Sequence, residues 1–386
     1  MKSDILTTIY SQHTAFLQRV AATQGRAIVP YLENIQNDIQ RIFNKYRDRN
    51  KTARNQSAIT EAINASAREN LQLYIAELRK NHRELGGDES EFSAGALNNA
   101  TDSDLETKIP TAAQVNALAI ATPIQVGEKS YTTYKKMLSN YWQKWAGEID
   151  AQVQAGFFSG QTINEIADNV YNEIRLQPGN LSKNVLNRAK RSAKSVAITG
   201  TNHYANTARL EFVDQNDDMI KGYRLISVLD SRTSQQCRAL DQRFIPKDSS
   251  KLKSLKPPLH INCRTALVYE LDDKFKLDDE DTKRASSFEV DGKRDPKPVS
   301  SEGIYYDKMS DLKAKDQDEI LGPTLGKAFR EMDSPSEFAK ATIDTLGNPL
   351  TIEQMREKDG KLGDILKRIE REKKKARKAN TKQSGG

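Results

Sequence analysis

The sequence predicts a predominantly α-helical α+β fold, with long helices and a small β-sheet at about residues 222–270. Three observations lead there. Over the first 85 positions apolar residues recur every three or four places, the period of one helix face. The stretch 182–216 carries small residues at Ala189, Ala193, Ala197, Gly200, Ala205 and Ala208, a stripe that lets helices approach closely. Between about 222 and 271 the period shortens to alternation with β-branched residues, and turn-formers separate the runs.

The elements follow in order. In residues 1–85 the stripe runs through Ile9, Phe16, Leu17, Val20, Ile28, Tyr31, Leu32, Ile35, Ile39, Ile42 and Phe43, with Pro30 expected to bend or break it. A second helix fits "SAITEAINASARENLQLYIAELRK". Residues 86–110, "GGDESEFSAGALNNATDSDLETKIP", are small and polar and predict a loop or linker. A helix with both tryptophans, Trp142 and Trp145, is predicted over 127–158. Thr162 and Glu165 then form a capping box, as do Thr351 and Gln354 further on. After the long helix at 182–216, strands are predicted at about 222–229, in "RFIP" and in "TALVYEL".

Five parts result: a helical N-terminal region, 1–110; a core domain, 111–271; a charged linker, 272–304; a small helical module, 305–355; and a basic tail, 356–386, expected to lack fixed structure.

Composition limits the function classes. The apolar fraction is 37% and mean hydropathy is −0.73, polar for a globular chain of 386 residues. No segment approaches the ~18 apolar residues of a membrane span, and "MKSDILTTIY" lacks the apolar stretch of a signal peptide. Two cysteines are too few for a secreted disulfide framework, so a reducing cytoplasm is the expected site of synthesis and assembly. The net charge of +7 is placed unevenly. Residues 361–386 hold ten Lys/Arg against three Asp/Glu, while residues 1–360 carry fifty of each sign.

Both cysteines lie in one patch. "LDSRTSQQCRALDQRF" holds Cys237, and "PPLHINCRTALVYEL" holds His260 and Cys263. Zinc takes about four borderline or soft ligands in a tetrahedron, and Cys237, His260 and Cys263 supply three. Asp230, Asp241, His203 or water are candidates for the fourth, and nothing in the spacing selects one. A catalytic alternative pairs a thiol with a histidine base, but no nucleophile turn accompanies it. The third alternative is packing: two thiols and an imidazole fill a small, loop-rich core. The neighbouring residues suit that one. Asp230, Ser231, Thr233 and Ser234 fix turns through their own side chains, and the forks of Arg232 and Arg264 suit a carboxylate or carbonyls across the patch. The patch then staples two turns, around 230–241 and 257–264, over a small sheet. No catalytic residue is assigned.

These two stretches resemble the signature of phage minor head proteins, also called head morphogenesis proteins, the family that includes the Mu F-like proteins. Its usual form is D-x-R-T-C-x-x-C-x-x-L-D-G followed by P-P-x-H-x-N-C-R. This chain matches at Asp230, Arg232, Thr233, Cys237, Leu240, Asp241, Pro257, Pro258, His260, Asn262, Cys263 and Arg264. It departs at Ser234, where the signature has its first cysteine, and at Gln242, where it has glycine. "RAKRSAKSVAITGTNHYANTARLEF" and "AGFFSGQTINEIADNV" are similar to segments upstream of the family's motif. The likeness covers about 155–270 well, 305–355 in patches, and the N-terminal helices not at all.

The resemblance implies a low-copy structural protein of the virion, not an enzyme, resident in the phage head interior or at the portal vertex. Such a protein joins the procapsid during assembly in the host cytoplasm, contacts portal and other capsid or scaffold proteins, and in some members takes part in DNA packaging or ejection. Separately, two basic runs suit sequence-independent contact with packaged double-stranded DNA, each phosphate neutralised releasing a counterion. One is Lys183, Arg188, Lys190, Arg191 and Lys194; the other is Lys373, Lys374, Lys375, Arg377 and Lys378. The alternative for both is a solvated face.

Overall fold

The computed structural model describes residues 5–46, 52–101, 106–127, 130–170, 185–275, 282–358 and 360–383. The chain is predominantly helical with small antiparallel sheets. Helices α1 (Ile5–Arg26) and α2 (Val29–Tyr46) are separated by a short break, and Pro30 lies in the first turn of α2, where a missing amide costs no helix bond. Leu32, Ile35, Ile39 and Phe43 of α2 are buried against α3 (Ala53–Asn99), a helix of 47 residues. At 1.5 Å per residue α3 is roughly 70 Å long.

The loop predicted from residue 86 is therefore helical through Asn99. Its turn-forming residue types serve packing instead. A Cβ on Gly86 would stand 2.8 Å from Val115 Cγ1, and one on Gly87 3.1 Å from Ala112 Cβ, so the glycines admit α4 (Ala112–Ala121) at close range. Ser90 and Ser93 donate to the carbonyls of Gly86 and Glu89, 3.1 and 2.8 Å away, and stay within the helix.

A short hairpin, β1 (Ile124–Gly127) and β2 (Ser130–Thr132), precedes α5 (Tyr134–Phe158), so the helix predicted from 127 starts at Tyr134, where the Thr133 hydroxyl caps it. In α6 (Ile163–Val170) the expected capping box is present: the Thr162 amide donates to Glu165 at 2.7 Å. Helix α7 (Val185–Gln215) runs through the middle of the molecule, and its small-residue stripe is buried where α1, α3 and α5 pack on it. Residues 28–78 share one apolar core with 115–208, so packing is continuous across position 110.

The predicted sheet forms with order β4-β3-β5: β3 (Ile220–Ile226) lies between β4 (Phe244–Pro246) and β5 (Ala266–Leu271), all antiparallel. Two short helices, α8 (Gln235–Leu240) and α9 (Leu252–Leu255), sit in its connections. Every residue of β5 is buried, with α1 and α7 packed on it.

The segment expected as a charged linker is structured over most of its length. Strand β6 (Lys283–Ser286) pairs with β9 (Lys297–Ser300), and between them β7 (Glu289–Val290) and β8 (Lys293–Arg294) join through Asp291 and Gly292, both at positive φ, the turn that Asp-Gly favours in hairpins. Alternating charge hid it because the largest of its fully buried side chains, Arg284, is itself charged.

The C-terminal module comprises α10 (Tyr305–Ser310), α11 (Ala314–Leu321), α12 (Pro323–Glu331), α13 (Pro335–Ala341), α14 (Ile352–Lys358) and α15 (Gly360–Gln383). The basic tail is thus helical where described. Leu362, Ile365, Leu366 and Ile369 recur at helix spacing and are buried with Tyr305, Tyr306, Phe329 and Phe338. Among the described residues no helix is long and apolar enough to cross a membrane.

Candidate functional site

Two turns close on one another over the sheet. The first runs from the end of β3 through Asp230 into α8; the second runs from Pro257 to Thr265 and enters β5. Asp230 is the hub of the first. Its carboxylate accepts from its own turn, from the Arg232 amide at 3.1 Å and the Thr233 hydroxyl at 3.1 Å, which fixes the loop locally. Arg264 then reaches it from the second turn at 2.6 and 2.8 Å. Arg232, offered as a clamp on the returning segment, binds Asp230 of its own turn instead at 3.1 Å and stays half exposed. Arg264 is the residue that spans the two turns. Burial opposes the Asp230 charge, but the two arginines outweigh it and hold the carboxyl below its ordinary range.

Asp241, at the end of α8, is wholly buried. It accepts the Ser227 amide at 2.8 Å and both terminal nitrogens of Arg284 at 2.8 and 2.9 Å. Arg284 also donates to the Ser227 carbonyl at 2.7 Å. Gln242, where the head-protein signature has glycine, sits at φ 63°, a conformation that suits glycine. Asn262 is at φ 63° too, which asparagine tolerates better than most, and its amide donates to Thr199 of α7 at 3.0 Å.

Beneath these clamps lies the thiol patch. Ser234 caps α8 by accepting the Cys237 amide at 3.3 Å, and this orients the Cys237 thiol toward the second turn. The turn His260–Cys263 is closed by the Cys263 amide on the His260 carbonyl at 3.1 Å. Sγ of Cys237 lies 3.8 Å from Sγ of Cys263 and 3.2 Å from Nε2 of His260. The Ser234 hydroxyl lies 2.8 Å from the same Nε2, and His260 Nδ1 is 2.8 Å from the Ile261 carbonyl. Both thiols are buried and unoxidised. The bond from Cys263 lowers the Cys237 thiol to about 7 against the effect of burial, while burial pushes Cys263 well above the ordinary thiol range.

The remaining candidates for a fourth ligand are engaged elsewhere. Asp230 and Asp241 are held by arginines, and His203 Nε2 bonds the Ala119 carbonyl at 2.7 Å. Among the described residues, the donor group within reach of one ion is Cys237, His260 and Cys263, with donor atoms within 4.8 Å of one another.

Of the basic runs, Lys190, Arg191 and Lys194 are exposed on α7, whereas Arg188 pairs with Glu148 at 3.0 Å and lies 5.7 Å over Trp145. Lys373 bonds Thr324 at 2.5 Å, Lys374 pairs with Glu370 at 2.9 Å, and Lys375 is exposed. Lys183 and the side chains of Arg377 and Lys378 lie outside the described residues. Two contacts to the site had no signal in the sequence: Arg284 on Asp241, and the Tyr305 hydroxyl on the Asp230 carbonyl at 2.8 Å. Both come from beyond the second turn.

Residues 147–268, from α5 to the middle of β5, match the family described as phage Mu protein F like protein. Over this segment the chain is similar to phage Mu F-like proteins. The matched stretch contains both turns and all three donors, and the Mu F-like family is one of phage head morphogenesis proteins. No curated protein and no solved structure matches the chain significantly. The braces from Arg284 of β6 and Tyr305 of α10 lie outside the matched segment, so parts of the chain beyond it support this site.

Proposed function

We propose that this protein is a structural, non-enzymatic component of a tailed-phage head, incorporated during procapsid assembly through contacts with the portal vertex. The observation that carries this reading is the family match over 147–268, which coincides with a site whose polar groups are spent on each other. The Asp230–Arg264 and Asp241–Arg284 pairs tie loop to loop and helix to strand, which suits a part that must hold its shape under load. A surface that suits protein contact lies on the N-terminal side: Leu118 and Ile120 of α4 are 37% and 38% exposed, with Ile109 at 47% nearby in sequence. Heads assembled with and without portal provide the test. The chain is expected in low, fixed copy in the first and to be lost from the second. Equal incorporation in both overturns the portal assignment.

A second reading is supported by the exposure of Lys190, Arg191 and Lys194 on one stretch of α7. It makes the protein a sequence-independent contact for DNA inside the capsid, with phosphates as the ligand. The two readings are compatible in one molecule, and the salt dependence of DNA binding separates them.

A further inference from the structure

We propose that Cys237, His260 and Cys263 hold one zinc ion, with water completing the tetrahedron on the side of Ser234. Four independent features of the patch lead to this.

The first is spacing. Zinc–sulfur bonds of ~2.3 Å at tetrahedral angles place two thiolate sulfurs about 3.8 Å apart. The Cys237 and Cys263 sulfurs are 3.8 Å apart, well beyond the ~2 Å of a disulfide. One thiolate and one imidazole nitrogen on zinc stand roughly 3.6 Å apart, and Cys237 Sγ to His260 Nε2 is 3.2 Å, within a small side-chain movement.

The second is the orientation of the imidazole. His260 Nδ1 faces the Ile261 carbonyl at 2.8 Å, a bond it makes as an N–H donor. Nε2 then carries the lone pair, 3.2 Å from the Cys237 sulfur, where in the absence of an ion the Ser234 hydroxyl donates to it at 2.8 Å. Histidines that ligate metals nearly always donate their other ring N–H in this way.

The third is that the frame is built without the ion. Ser234 holds the start of α8, the Ser227 hydroxyl bonds the Cys237 carbonyl at 2.7 Å, and Asn202 of α7 donates to the Cys263 carbonyl at 2.9 Å. The backbones of both cysteines are held from outside their own turn-closing bonds, Cys237 by Ser227 and Cys263 by Asn202 of α7, so little ordering of the thiols remains for the ion to impose. The fourth is chemistry. Two thiols that lose their protons on binding and one neutral imidazole form a soft-to-borderline set that favours zinc over calcium or magnesium. The Ser234 hydroxyl, 2.8 Å from Nε2, occupies the side on which a fourth ligand would stand. A neutral hydroxyl is a poor zinc ligand, so that corner is left to water and the site has three protein donors.

The ion would tie the same two turns that Arg264 and Asp230 tie, and the proposal stands independently of the phage-head reading. The test uses the full chain, purified without a polyhistidine tag from zinc-supplemented cells and analysed for all first-row metals. About one zinc per chain is expected, and cobalt added to the stripped protein should give the visible spectrum of a tetrahedral thiolate site. Ser234→Cys supplies a third sulfur without depending on a core deletion, and should tighten zinc about tenfold or more in competition with a chromophoric chelator. Folded wild-type chain that takes up neither zinc nor cobalt overturns the proposal. So does zinc held only by Ser234→Cys, another metal found in place of zinc, or zinc retained undiminished by folded Cys263→Ser and His260→Ala.

Discussion

Arg264 grips Asp230 through both terminal nitrogens, at 2.6 and 2.8 Å, and joins two turns 34 residues apart in the chain. Asp230 is 3% exposed and Arg264 13%, so neither has a full water shell to return to if its partner is lost. Removing one partner of such a pair typically costs about 3–5 kcal/mol, because a buried charge is left uncompensated. Arg264→Gln is expected to lower stability by that order in urea titrations of the full chain. Arg264→Lys should recover only part, since an ammonium cannot make the two parallel bonds. A wild-type midpoint in Arg264→Gln would mean the clamp carries no stability.

Acid should release the same clamp. The folded Asp230 carboxyl titrates below its ordinary range, which means the folded state holds fewer protons than the unfolded chain as pH falls. Its contribution is fully present above the unfolded value of about 3.9 and is lost as pH drops through the lower folded value. The stability gap between wild type and Asp230→Asn is therefore expected to be constant from pH 5 to 8 and to shrink below about pH 4. Urea titrations of both proteins at each pH measure the gap, and one that stays level into acid contradicts the assignment.

Gly200 marks a tight crossing of α7 and α3. A Cβ there would lie 2.2 Å from Cε1 and 2.7 Å from Nδ1 of His82. His82 cannot swing aside, because Nδ1 is bonded to the Tyr134 hydroxyl at 2.7 Å and the ring is fully buried. Burial pushes its pKa down to about 3, so the ring is neutral at pH 7 and the clash is purely steric. Gly200→Ala should cost about 1–3 kcal/mol, and His82→Ala in the same chain should return part of that by opening space. Additive losses in the double variant would show that α3 and α7 do not meet as described.

What could be read from the sequence was local in origin. Helix and strand periods depend on neighbours a few residues away, so α1, α2, α7 and the three-stranded sheet were legible, and the turn chemistry around Asp230 was legible for the same reason. Pairings set by distant elements were not. Glu89 stands in a run that reads as a polar loop, yet it is 1% exposed and bonded to Arg209 at 3.0 Å. Asp241 and Arg284 each lie among charged neighbours, and nothing in either run distinguishes the buried charge from the exposed ones. In α15 the error ran the other way: the lysines dominate the composition, while four apolar residues at helix spacing decide where the helix goes.

Lys190 and Lys194 of α7 and the lysines of α15 sit in different surroundings, and DNA binding should expose the difference. Lys190, Arg191 and Lys194 lie exposed on a helix anchored along its opposite face. In α15, Lys374 pairs with Glu370 of the same helix and Lys373 leans on Thr324 of α12. Each phosphate neutralised adds about 0.9 to the slope of log affinity against log salt. Lys190→Gln and Lys194→Gln together should therefore flatten that slope by roughly 2, measured by anisotropy on a short duplex of arbitrary sequence. The matching double change at Lys373 and Lys374 should flatten it less, because Lys374 already faces the Glu370 carboxylate. Arg188→Gln should leave the slope nearly unchanged and reduce stability instead, since its guanidinium is committed to Glu148 and the face of Trp145. A larger effect from the α15 double change would move the DNA surface to the C-terminal module, and no change from either would remove DNA contact from what these basic runs do.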